Sequence, residues 1–184
     1  MKNSLLFFFV ALLPIFAGCS KIRPAEDRVN SAIQVGVYDS RSVAIAFIRS
    51  DVYKKTDGLM LKQWMDEYKT AKSENNKQKM EDLKSKAESL QEKNHQQGFG
   101  TASVDDILIH IPEQISVIKQ QNKVQLLISK WDSESLEKYK TAKKIDVTSS
   151  LIEAFGPTDK QRECALGIQK FKPIENKKLK GKID

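Results

Sequence analysis

Apolar positions in the middle of the chain recur at three- and four-residue intervals: Leu61, Trp64, Tyr68 and Ala71, then Met80, Leu83, Ala87 and Leu90, with Lys, Glu, Gln and Ser between them. Such spacing puts each set on one narrow stripe of an otherwise solvated helix. The two stripes do not share a register. Leu61 and Leu90 lie 29 residues apart, one more than four heptads, so a break is needed between them. Ser73-Glu74-Asn75-Asn76 supplies polar, turn-prone residues for it. The pattern predicts an antiparallel helical hairpin over about residues 59–93 with its tip near Asn75. The alternative is one kinked helix about 50 Å long at 1.5 Å per residue.

Two short apolar segments flank this run. In 32–38, Ile33, Val35 and Val37 alternate with other residues, the period of a strand, and 124–129 predicts a second strand. Asp39-Ser40 ends the first strand and caps a helix over 41–52, and Thr56-Asp57-Gly58 marks a turn before the long run. Residues 95–101, with two glycines, predict a loop. Ser103-Val104-Asp105-Asp106 then opens a helix with acids at its positive end. Its face carries Ile107, Leu108, Ile111, Ile115 and Ile118, and Pro112 bends or restarts it. A weak third strand is expected over 136–141, a helix over 149–155 ended by Gly156-Pro157, and a last helix over 158–171. The fold class is therefore a helix-rich α/β (α+β) domain: a small sheet of 2–4 strands, a protruding helical hairpin between strands 1 and 2, and C-terminal packing helices.

The first 18 residues belong to a different class. Lys2 gives a positive start, 5–13 is unbroken apolar sequence, and small residues precede Cys19. The run is too short for a bilayer core, which needs about 20 residues, and reads as a secretory signal peptide. Phe16-Ala17-Gly18-Cys19 resembles the bacterial lipobox, which implies cleavage before Cys19, lipid on its sulfur and, with Ser20 rather than Asp following, the outer membrane. The alternative is an ordinary cleaved signal in which Cys19 is incidental. Residues 19–31, with Pro24 and mixed charge, form a tether, 32–172 the domain, and 173–184 a basic disordered tail suited to acidic lipids or wall polymers.

Composition narrows the function classes. The chain has 184 residues, 30% charged and 40% hydrophobic, so much of it is solvated surface. Net charge is +7, and +6 once residues 1–18, whose only charge is Lys2, are set aside. Acids and bases are well mixed, which argues against a nucleic-acid stripe. If Cys19 carries lipid, Cys164 has no intramolecular partner, which removes a disulfide framework and leaves it a small residue on an apolar helix face.

No metal or cofactor is expected: His95 and His110 stand outside any metal-ligand spacing, and there is no phosphate loop or nucleophile elbow. One constellation is a candidate binding edge. Asp39 and Arg41 follow the first strand, while Lys130, Trp131 and Asp132 follow the second. If the strands run parallel, both sets share the edge where open α/β sheets bind ligands, and the 95–99 loop, with His95 and Gln97, would close over it. The plain alternative is capping residues and surface ion pairs.

Taken together, Ile33-Gln34-Val35-Gly36-Val37-Tyr38-Asp39-Ser40-Arg41, the charged helical insertion, 124–131 and Lys144-Ile145-Asp146-Val147-Thr148-Ser149-Ser150-Leu151-Ile152 make the chain similar to the Skp/OmpH-like periplasmic chaperone family over about residues 32–155. The resemblance implies a small β body, often trimeric, with helical arms that enclose unfolded outer-membrane proteins. This chain differs in its shorter arms and its lipid anchor. Trp64, Met65, Tyr68, Met80 and Leu83 are adaptable residues that suit either an arm seam or a client surface. The expectation is a non-enzymatic lipoprotein on the periplasmic side of the bacterial outer membrane that holds unfolded or partner envelope proteins, as a homo-oligomer if it follows the family. Two alternatives remain: a structural module binding a specific envelope partner or wall polymer, and a small-ligand-binding or hydrolytic α/β domain.

Overall fold

The computed structural model describes residues 33–175. Strand β1 (Gln34–Tyr38) leads into helix α1 (Ser40–Ile48), whose N-cap is Asp39. The helix expected over 41–52 breaks at Arg49-Ser50. The Ser50 hydroxyl donates to the Phe47 carbonyl (2.6 Å) and accepts from the Tyr53 amide, so it stops one helix and caps the next. That next helix, α2 (Asp51–Lys55), passes through Thr56 into α3 (Asp57–Ser73).

Helix α4 (Lys77–Phe99) follows a turn in which Asn75 takes φ +53° and Asn76 caps α4 by accepting from the Lys79 amide. Asparagine is the side chain besides glycine that most readily adopts this left-handed conformation. Helices α3 and α4 pack on one another across that turn, and Lys79 of α4 reaches Glu67 of α3 at 3.3 Å.

The loop expected over 95–101 is instead helical as far as Phe99. Gly98 is buried against α1, and a Cβ placed there would lie 3.7 Å from Ile45 Cγ1. That is an ordinary contact distance, and the chain leaves the helix only at Gly100. Short helix α5 (Asp105–Leu108) precedes α6 (Pro112–Asn122), so Pro112 restarts the helix at its first turn. Lys123 at φ +55° closes α6 before β2 (Leu126–Ser129).

Residues 136–141 are not a strand. Asp132 caps helix α7 (Ser133–Lys138), with Glu134 in its first turn. The third strand is β3 (Lys143–Asp146), a mostly exposed edge strand whose Lys-Lys-Ile-Asp sequence carries almost no hydrophobic signal. Helices α8 (Thr148–Glu153) and α9 (Asp159–Gly167) follow, and a short 3₁₀ turn (Ile168–Lys170) completes the elements. Thr158 and Gln161 form a capping box at the start of α9. The last helix is thus shorter than the expected 158–171.

The sheet has the order β2-β1-β3 and both pairings are parallel, with Val37 opposite Ile128 and Asp146. Gly36, Leu127 and Ile145 face the main core, where α1 is central. Phe47 of α1 packs edge-on to Tyr53 and Phe155 and stacks on His110, with ring centroids 5.4 to 5.8 Å away. Val35 and Ile128 face a smaller cluster closed by Leu136, Tyr139 and Ala142. The described part is therefore a helix-rich α/β domain with a small three-stranded parallel sheet.

Candidate functional site

Parallel pairing brings the carboxyl ends of all three strands to one edge, with the central strand β1 ending at Asp39. Asp39 and Arg41 are each 1% exposed. Asp39 Oδ1 accepts from the Arg41 amide (3.0 Å), Arg41 Nε (3.2 Å) and Trp131 Nε1 (3.3 Å). Its Oδ2 accepts from Arg41 Nη2 (2.9 Å) and Lys130 Nζ (2.7 Å). The Asp39 amide donates to Thr148 Oγ1 after β3, and Thr148 is itself held by Asp146 Oδ1. The third arm of the guanidinium, Nη1, donates to the Phe171 carbonyl at 2.9 Å. Arg41 and Lys130 also lie 4.9 and 4.8 Å from the centre of the Trp131 ring.

This arrangement favours the ionised form of Asp39. Burial pushes its carboxyl upward, but the hydrogen bonds from Arg41, Lys130 and Trp131 and the Arg41 charge outweigh that and hold it below the ordinary carboxylate range. Five donors converge on a group with about four lone-pair directions. No acceptor capacity is left for a reacting proton, so the geometry is that of a clasp. It ties the end of β1 to the start of α1, to the residues after β2 and, through Arg41, to the segment after α9. Beside it lies an open recess of about 960 Å3, lined by Arg41, Lys130, Trp131, Thr101 and residues 169–175.

Of the expected edge residues, the structure brings together Asp39, Arg41, Lys130 and Trp131 and leaves out the other three. Asp132 turns to its own helix, where its Oδ1 accepts from the Ser135 amide at 3.0 Å. Gln97 is buried on α4 and its Nε2 donates to Ser103 O and Asp106 Oδ1. His95, on the same helix, sits against Phe99 with ring centroids 5.9 Å apart. Neither closes over the edge, because the segment that carries them is helix rather than loop.

On α3 and α4, Leu83 is buried, Trp64, Tyr68 and Met80 are half-buried, and Met65 is 54% exposed. Trp64, Met65, Tyr68, Leu83 and Ala87, with Lys69 and Lys84 at the margins, line a groove of about 290 Å3. At the base, Lys93 joins Asp57 (3.2 Å) and Asp106 (3.1 Å), locking α3, α4 and α5 together. Cys164, expected as a small residue on an apolar helix face, is exposed, and its neighbour Ala165 is the buried one. Cys19, the signal peptide, the tether and residues 176–184 lie outside the described residues. Residues 173–175, assigned to the tail, include Ile174, whose amide donates to the Phe99 carbonyl at 2.9 Å.

Two contributors escape a sequence reading. Thr148 joins the clasp through a hydroxyl whose only signal is the Asp146-Val147-Thr148 start of a helix, and Phe171 joins it through a backbone carbonyl, which leaves no residue-type signal. Among the described residues, no group of three or more His, Cys, Asp or Glu side chains is placed to hold a metal ion, and no helix is long and apolar enough to cross a membrane. Comparison of the chain with protein-family models, with curated proteins and with solved structures finds no match.

Proposed function

We propose that this protein is a non-enzymatic lipoprotein, anchored through Cys19 on the periplasmic side of the bacterial outer membrane, that holds unfolded or partner envelope proteins with a helical arm formed by α3 and α4. One observation carries the reading: between residues 62 and 89 only Ala71 and Leu83 are buried. A segment of that length which contributes so little to the core must be kept for what it does outside the core.

Ala71 and Leu83 form the seam of a hairpin. Trp64, Met65 and Tyr68 are left on its flank as a shallow, adaptable apolar surface bordered by lysines, the chemistry that suits extended, chemically varied clients. The saturated Asp39 clasp supports a structural role for the sheet edge rather than a reactive one. The resemblance to Skp/OmpH-like chaperones points the same way and adds the expectation of a homo-oligomer that presents several arms.

The test is dilution of a urea-unfolded outer-membrane β-barrel protein into buffer containing this protein, with aggregation followed by light scattering. Suppression near stoichiometric ratios is expected, lost in the double variant Trp64→Ser, Met65→Ser while its far-UV circular dichroism is retained. No suppression at a tenfold excess of the wild-type protein rejects the reading.

A further inference from the structure

A second concavity, of about 840 Å3, lies between α1, the base of the two long helices and α9. That volume is in the range of small-molecule sites, about 300–1,000 Å3. Its walls are mostly apolar, with Ile45 and Ile48 from α1, Leu61 from α3, Leu90 from α4, and Ile168 and Phe171 after α9, and Tyr53, Gln91, Asn94 and His95 add polar atoms. Phe99 and Phe171, 41% and 67% exposed, carry the apolar wall out to the surface.

The charge at its margin is one-sided. Arg49 and Lys170 line the cleft, no Asp or Glu does, and neither cation is paired with a carboxylate among the described residues. Burying apolar surface there is favourable for any hydrocarbon, but only an anion gains from the rim.

A peptide is the poorer fit. It would carry a backbone donor and acceptor at every residue into walls that offer few side-chain partners, chiefly Tyr53, Gln91, Asn94 and His95, and each unsatisfied group is costly. A hydrocarbon body with one anionic end makes no such demand.

We infer that the α1/α4/α9 cleft is a binding site for a long-chain fatty carboxylate, its alkyl chain between Ile45, Leu90 and Ile168 and its carboxylate at Arg49 and Lys170. The inference is independent of the holding role of the arm.

Two residues make it testable without disturbing the core. Gly167 lines the cleft and a Cβ built there meets nothing within 4 Å, so Gly167→Leu starts into open space, narrows the cleft and improves helix propensity. Cys164 is exposed at the same cleft and reports its occupancy. In the full chain carrying Cys19→Ser, Cys164 is the sole thiol.

With that protein, a fluorescent 18-carbon polyene carboxylate should bind saturably, be displaced by palmitate, and slow alkylation of Cys164 by a maleimide. Gly167→Leu should weaken binding. Arg49→Glu with Lys170→Glu should weaken the carboxylate at least tenfold and leave the matching long-chain alcohol unchanged. The inference is overturned by an absence of saturable binding, by binding left unchanged by Gly167→Leu, by equal loss of acid and alcohol in the charge-reversed variant, or by an acidic amphipathic peptide protecting Cys164 where palmitate does not.

Discussion

Asp39 and Arg41 are both fully buried, and Asp39 is the carboxylate that compensates the Arg41 charge. Removing one partner of a buried pair leaves the other uncompensated, which costs about 3–5 kcal/mol. Asp39→Asn is expected to destabilise the domain by that amount in urea unfolding. Because the folded carboxyl is held below its ordinary value, the stability it contributes is complete above the unfolded value of about 3.9 and is lost as pH falls through the lower folded value. The acid limb of a stability-versus-pH curve should therefore be shallower in Asp39→Asn than in wild type, and identical limbs would remove Asp39 from the account. Gly36 is constrained by space: a Cβ there would stand 2.8 Å from Leu127 Cδ2 and 3.1 Å from Val147 Cγ2. Gly36→Val should cost about 1–3 kcal/mol through overpacking, read from the denaturation midpoint.

At the scale of elements, the turn between α3 and α4 depends on Asn75 at positive φ. Asn75→Gly should be nearly neutral, whereas Asn75→Val should destabilise by about 1–2 kcal/mol, the cost of a left-handed conformation for a side chain that resists it. Urea titrations of the two variants check the difference. The stripes Leu61 to Ala71 and Met80 to Leu90 are legible in the sequence because a surface helix exposes its period directly. The ends of elements are less so. Gly98 has the sequence context of a loop residue yet lies inside α4, buried against α1, because tertiary packing continues the helix through it. Ser50 stops the helix between Ile48 and Val52 because its hydroxyl competes locally for the Phe47 carbonyl. The edge strand Lys143–Asp146 is held by pairing to β1 rather than by its own hydrophobicity.

For the whole molecule, the body and the two long helices answer to different demands. The body keeps Phe47, Leu151, Ile152 and their neighbours packed around α1, while residues 62–89 add only Ala71 and Leu83 to the buried set. Joining Leu61 to Leu90 through a short Gly-rich linker in place of residues 62–89 should leave a cooperatively unfolding domain whose thermal midpoint lies within a few degrees of wild type, while suppression of aggregation is lost. Calorimetry and light scattering on the same preparation read both outcomes, and collapse of the truncated body would place the long helices in the core after all.

Local pattern determined what could be read from sequence by itself: two amphipathic stripes with a break at Asn75, a strand at 32–38, a second before Lys130, and the residue types Asp39, Arg41, Lys130 and Trp131 at the strand ends. Only the tertiary structure decided that the strands are parallel, and with that whether four side chains spread over 92 positions meet. It also decided that Asp132, His95 and Gln97 do not join them, and that an apolar cleft lies between α1, α4 and α9. The physical reason is that periodicity records which face of one element avoids water, whereas strand direction, a saturated carboxylate and an unfilled cleft depend on contacts between elements distant in the chain.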